Sequence, residues 1–301
     1  MAMRLINTTT LKLKEHRESQ LPGYVILSHR WGDEEVTFED LQSGTDVSQH
    51  TGYAKLQGFC RLAQSLDYKW AWLDTACINK SSASELGTAL NSMYRWYAES
   101  KQCIAYLQDV HTGGKLLEDS EWFDRGWTLQ ELIAPKNMTF YDRDWSIIGT
   151  KAALVERLSS KTKIPVSILD HTTKLSSCSI AQRFSWAANR TTERVEDRAY
   201  SLLGLFDIHL EMFYGEREKA FLRLQQKLLL SSADETIFAW SLDTTNHPNG
   251  YSGMLAPSPS SFRLCSNMAT TSQNKAFSES NLGLTIDLPT QPHSSEAYLA
   301  F

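Results

Sequence analysis

The first 150 residues of this 301-residue sequence predict an α/β fold built on a parallel sheet flanked by helices. Two observations carry that reading. Short β-favouring apolar runs at 24–27, 68–73, 102–107 and 138–141 alternate with stretches of helical period, the spacing of strand–helix–strand units. Polar residues collect just after the strand ends, from Ser28 to Asp33, from Asp74 to Asn79 and at Asp109, and in a parallel sheet such residues line one edge, where ligands bind.

The elements follow in order. From Gly52 the residues Leu56, Phe59, Cys60, Ala63 and Leu66 keep helical period. Ser82 and Glu85 match a capping box ahead of the stripe Leu86, Leu90, Met93 and Tyr97. Residues 111–121 are a polar loop containing Gly113-Gly114. A helix of about two to three turns comes next, with Asp124 as N-cap and Pro135 as stop; Trp127 and Glu131, at i and i+4, share one of its faces.

Beyond 150 the pattern turns helical at 152–158, 180–188, 197–206 and 216–230, the last with Phe221, Leu224 and Leu228 in register. Residues 236–240 read as a strand. From Asn246 the chain is rich in Pro, Ser, Asn and Thr with room for a few strands, and 297–301 reads as a strand cut short. The organisation expected is an α/β core over 1–150, a mainly helical extension over 151–245 and a short β-containing tail over 246–301.

With 42% hydrophobic and 22% charged residues, the chain has the composition of a folded globular protein. A net charge of -5 without a Lys/Arg cluster argues against nucleic acid as a partner. No signal sequence and no apolar run of about 18 residues is visible, so no membrane span is expected and the predicted location is cytoplasmic. Five scattered cysteines, none in a C-x-x-C pair, fit a reducing compartment.

Several chemistries can be weighed on these residues. Cys77, His29 and Asp74 have the types of a thiol triad, but no cysteine-hydrolase signature surrounds Cys77, and a small Cys after a strand is usually packing. A metal held by His29, Asp74 and Asp109 lacks any ligand spacing, and no metal is expected. No glycine-rich phosphate loop is present. There remains Glu131 as a single catalytic carboxylate. A nicotinamide–ribose bond breaks with little proton assistance because the departing ring is already cationic, so the site needs to orient the ribose and stabilise an oxocarbenium-like charge. Trp31 or Trp127 would stack on a ring, and Arg30 or Arg125 would hold phosphate oxygens. By residue type alone, a Trp/Glu pair on a helix is more often packing plus a solvated acid.

Three blocks, Tyr24-Val-Ile-Leu-Ser-His-Arg-Trp-Gly32, Trp72-Leu-Asp-Thr-Ala-Cys-Ile-Asn79 and Arg125-Gly-Trp-Thr-Leu-Gln-Glu131, closely resemble in order the signature blocks of the fungal heterokaryon-incompatibility (HET) domain. The resemblance continues through 181–188, 196–204, 214–216 and 255–259, about the whole chain. It implies an intracellular protein of fungal non-self recognition whose HET domain triggers cell death. In many relatives that domain is joined to a NACHT or NB-ARC module, which is not visible here, so an isolated effector part or a short HET-only protein is expected, with such a receptor as partner.

More remotely the HET domain is similar to TIR domains, which implies a TIR/flavodoxin-like sheet. Trp127-Thr-Leu-Gln-Glu131-Leu132 is similar to the TIR W-C-x-x-E-L block, with Thr128 where TIR domains often carry Cys. In NAD-cleaving TIR enzymes the glutamate of that block is catalytic, and Glu131 occupies its place. The resemblance then implies NAD as substrate rather than cofactor. Ser28, His29, Arg30, Trp31, Gly32, Asp74, Cys77, Arg125 and Trp127 are expected around the substrate, and self-association is expected to complete the site. The alternative is a non-catalytic death-signalling module that binds partner proteins.

Overall fold

A computed structural model describes residues 2–241, 253–270, 277–280, 283–285, 290–294 and 297–300. The chain opens on an antiparallel hairpin, β1 (Ala2–Asn7) and β2 (Leu13–Arg17), that the sequence reading did not place. Its buried apolar residues in β1 are only Met3 and Leu5 on one face and Ile6 on the other, and Arg4 interrupts the run.

Next come β3 (Val25–His29), α1 (Phe38–Ser43), α2 (Thr51–Ser65), β4 (Trp70–Trp72) and a single turn, α3 (Asp74–Cys77). They are followed by α4 (Ala83–Glu99), β5 (Gln102–Leu107), α5 (Thr128–Ile133), β6 (Met138–Asp142) and β7 (Ile147–Thr150). The seven strands form one sheet in the order β2-β1-β4-β3-β5-β6-β7. The α/β expectation holds at the centre, where β4, β3, β5 and β6 run parallel. The margins are antiparallel, with β1 against β4 and β7 against β6, so the sheet is mixed rather than wholly parallel. All five residues of β3 are buried, as a strand covered on both faces requires.

Local chemistry explains where the sequence reading went astray. Ser82 caps α4 by accepting from the Glu85 amide at 3.4 Å, but the reciprocal half of the capping box is not made. The Glu85 carboxylate instead takes two bonds from Arg4, at 2.5 and 2.7 Å, and one from the Asn79 amide. Asp124 is not an N-cap. It ends a 3-10 turn (Glu121–Asp124), its carbonyl accepts from the Thr191 amide at 2.6 Å, and α5 begins only after Trp127.

Beyond the sheet lie α6 (Val155–Thr162), α7 (Val166–Leu169), α8 (Ile180–Ser185), α9 (Asp197–Tyr200), α10 (Leu203–Phe206) and α11 (Lys219–Ser231). The single helix expected over 197–206 is thus two separate turns. The strand expected at 236–240 is a 3-10 turn (Glu235–Phe238), because the Asp234 carboxylate captures the Thr236 amide and hydroxyl and outweighs the β-favouring side chains. Two short hairpins, Ser278–Ser280 with Gly283–Thr285 and Thr290–Ser294 with Ala297–Ala300, supply the strands of the tail. The boundary expected at 245/246 lies outside the described residues, as does Phe301.

The extension is wedded to the sheet. Phe184 gathers Phe206, Phe221 and Phe262 around it at 4.7, 5.1 and 4.9 Å. Gly204 lets α10 approach α4 so closely that a Cβ there would strike Tyr94. Gly126 does the same for the segment before α5, since its Cβ would lie 2.5 Å from the Thr192 methyl. A fragment of residues 1–150 is therefore expected to bind a hydrophobic dye and to melt without a cooperative transition, unlike the full chain. A sharp thermal transition from that fragment would show that the α/β half folds alone.

Candidate functional site

A cavity of about 410 Å³ opens at the carboxyl edge of the central strands, between the sheet and the helical extension. Its floor is Glu131, 7% exposed. Ser28, the fourth residue of β3, donates to Glu131 Oε2 at 2.5 Å, and the Trp122 indole donates to Ser28 Oγ at 2.9 Å, so one carboxyl oxygen is fixed by a two-step relay. The Tyr97 hydroxyl, which donates to the Leu27 carbonyl at 2.8 Å, also adjoins Glu131. Burial raises the Glu131 pKa to about 8 even though Ser28 and Tyr97 favour the charged form.

A second carboxylate in the same cavity is driven the other way. Asp74 accepts from Trp31 Nε1 at 2.8 Å through one oxygen, and its other oxygen lies 3.1 Å from His29 Nε2. Burial opposes its charge, but His29, Lys80 and Trp31 outweigh that cost and hold Asp74 at about 2. The Lys80 ammonium sits 3.5 Å over the Trp31 ring, a cation–π contact at the rim.

The far wall comes from the extension. The Tyr214 hydroxyl donates to Asp197 Oδ1 at 2.9 Å, and Arg194 lies over the Tyr214 ring at 4.4 Å. Arg125 is paired with Glu193 at 2.9 Å. Half-buried Arg190 holds the start of α5, donating at 2.9 Å both to the Arg125 carbonyl and to the Thr128 hydroxyl. At the other end of α5, buried Lys151 donates to the Leu132 and Pro135 carbonyls at 2.8 and 2.9 Å. Both ends of a six-residue helix are thereby tied to distant side chains.

Of the residues singled out in the sequence, His29, Trp31, Asp74, Arg125, Trp127 and Glu131 line this cavity, with Ser28 directly behind Glu131. Four lie elsewhere. Arg30 is half-exposed and paired with Glu121. Gly32 belongs to a smaller cavity of about 150 Å³ beside Lys55. Cys77 is 3% exposed, and burial pushes its thiol up to about 12, so the thiolate that a triad needs is not formed at neutral pH. Asp109 is committed to Ser120, Lys115 and the Glu121 amide, away from His29 and Asp74. Sequence reasoning missed Tyr97, Trp122, Lys80, Asp197 and Tyr214 as cavity or support residues. Tyr97 sat in an apolar helical stripe and read as core, and the 196–204 and 214–216 blocks were recognised without any role attached.

Comparison with known proteins agrees with the motif blocks. Residues 24–117 match the family described as "Heterokaryon incompatibility protein (HET)". Over 228 residues, 71% of this chain, the sequence is 41% identical to the vegetative incompatibility protein HET-E-1 of Podospora anserina. The chain spans 17% of the length of that relative. No solved structure matches.

The raised Glu131 pKa has a thermodynamic consequence. Between the ordinary carboxyl value of 4.5 and about 8, the native state keeps a proton that the unfolded chain releases, so this group's contribution to stability falls as pH rises through that window and is flat above it. Glu131→Gln, which cannot ionise, is expected to gain stability relative to wild type as pH rises from 5 to 9, by roughly 3 to 5 kcal/mol at the top of the range. Denaturant unfolding of both proteins across that range checks it; a difference that does not vary with pH would contradict it.

Proposed function

We propose that this protein, whose residues 24–117 are a heterokaryon-incompatibility (HET) domain, is an effector of fungal non-self recognition that cleaves NAD at the nicotinamide–ribose bond and so brings about cell death. The observation that carries the reading is Glu131: a buried, donor-oriented carboxyl on the floor of a cavity walled by Trp31 and Trp127 and flanked by Lys80, Arg125 and Arg194.

The chemistry follows from the residues that line the cavity. The cations Lys80, Arg125 and Arg194 suit a pyrophosphate, and the indoles suit flat rings. A nicotinamide ring near Glu131 brings a positive charge to a desolvated carboxyl, which favours its ionised form. The C–N bond then breaks with its electron pair passing to the nicotinamide nitrogen, which becomes neutral, while positive charge moves onto the ribose facing the carboxylate. Water adds to that carbon, and Glu131 accepts the proton water loses. Ser28 and Trp122 keep Oε2 fixed, so the carboxylate need not reorient as charge develops.

HET-E-1 is a far longer protein, and the 17% covered here makes a partnership with a nucleotide-binding receptor module part of the same proposal. Self-association of this chain belongs to it as well. The raised pKa of Glu131 favours a second reading, in which the pocket binds a nucleotide without cleaving it and the protein signals through partner proteins.

Nicotinamide release from NAD at high protein concentration separates the readings. Glu131→Gln is expected to lose at least about a hundredfold in rate, and Ser28→Ala about tenfold. Because the ionised carboxyl is the working form, kcat/KM for wild type is expected to rise with pH and level off above about 8, with Ser28→Ala shifting the profile to more alkaline pH. Equal release by wild type and Glu131→Gln, or none by wild type, would overturn the enzymatic reading.

A further inference from the structure

A second, smaller cavity of about 210 Å³ lies at the start of the helix that carries Glu131, between Gly126, the 187–192 segment and the turn at Ser258. Its chemistry is one-sided. Two guanidinium groups, Arg190 and Arg198, line it together with Asn189, Ser201, Ser258 and Ser260, and among the described residues no acidic side chain does. Arg198 is exposed and its guanidinium has no hydrogen bond or ion pair among the described residues, and neither has the Asn189 side-chain amide or the Ser201 hydroxyl.

Arg190 is the more telling of the pair. It is held by carbonyl and hydroxyl oxygens only, from Trp186, Arg125 and Thr128, so a half-buried guanidinium stands with no carboxylate bonded to it. Asp124 and Glu131 favour its charge from a distance but neither is bonded to it, and a desolvated cation in a protein is ordinarily paired directly. Burial accordingly lowers the Arg190 pKa to about 10. The Nη2 amine of Arg190, the Arg198 guanidinium and the hydroxyls together make a donor-rich hollow, the composition that takes a tetrahedral oxyanion.

We propose that this cavity is a phosphate-binding site, taking the phosphoryl group of a small molecule between Arg190 and Arg198. The volume admits a phosphoryl group with a few attached atoms, not a folded partner. Occupancy would be felt in the larger cavity, because Arg190 bonds the Thr128 hydroxyl and Thr128 lines that cavity. The site does not depend on whether NAD is cleaved next door.

The test is a calorimetric titration of the full chain with inorganic phosphate and, in a second arm, ribose 5-phosphate, against sodium chloride at equal ionic strength. Saturable binding is expected for wild type, weakened at least about tenfold in Arg198→Gln and in Ser260→Glu, which places a carboxylate at the exposed rim, and retained in Lys80→Gln, whose altered residue lies in the larger cavity. Tighter binding of the sugar phosphate identifies an ester as the natural ligand and tighter binding of inorganic phosphate the free anion; either ordering upholds the site. No saturable heat beyond the chloride control, or binding lost in Lys80→Gln and kept in Arg198→Gln and Ser260→Glu, overturns it.

Discussion

The hydrogen bond from Ser28 to Glu131 joins the end of the central strand to a helix 103 residues later, and most of the cavity is arranged around keeping it. A carboxyl group moved out of water needs donors from the protein itself, and Ser28 is held in place to be one by Trp122. Trp122 is in turn seated by its own carbonyl, which lies 2.5 Å from the Thr128 hydroxyl on the same helix as Glu131. Six residues cannot sustain a helix alone. Arg190 at its start and Lys151 at its end replace the cooperativity that length would supply, and both come from outside the strand–helix units that build the sheet.

Two of the carboxyl groups that line the larger cavity, Asp74 and Glu131, titrate far apart. Asp74 finds an imidazole, an indole N–H and a nearby ammonium, and stays ionised. Glu131 finds a hydroxyl donor and a covering of apolar side chains, and stays protonated. Divergent environments for two acids in one pocket are how a single fold assigns acid and base roles at one pH. Here the division rests on partners: both acids are buried, but His29, Lys80 and Trp31 surround Asp74, whereas hydroxyl groups meet Glu131.

Much of this was legible in the sequence, and the failures have physical causes. The strand Gln102–Leu107 has the bounds its apolar run suggested, and the Trp127/Glu131 spacing did place an indole and a carboxyl on one cavity. Asp124 was misread because a capping residue type says nothing about a competing partner 67 residues away, and Thr191 is that partner. Cys77 and Gly32 sit in loops that reach the right edge of the sheet, but the turn Asp74–Cys77 directs the thiol into the core and Gly32 falls beside Lys55. The far wall could not be anticipated at all. Asp197, Arg194 and Tyr214 are brought to the cavity by tertiary packing, and no local pattern records which polar residues a fold will gather.

The outermost strands of the sheet have a bearing on how copies of this protein could meet. At one border β2 carries Lys14, Glu15, His16 and Arg17 in succession, mostly exposed; at the other β7 is only four residues long. Charged or very short borders are poor templates for another chain's backbone. Growth of the sheet from molecule to molecule is thereby disfavoured at both margins. Any assembly must be built through helix and loop surfaces, where its strength and its geometry are set by side chains and can be tuned residue by residue.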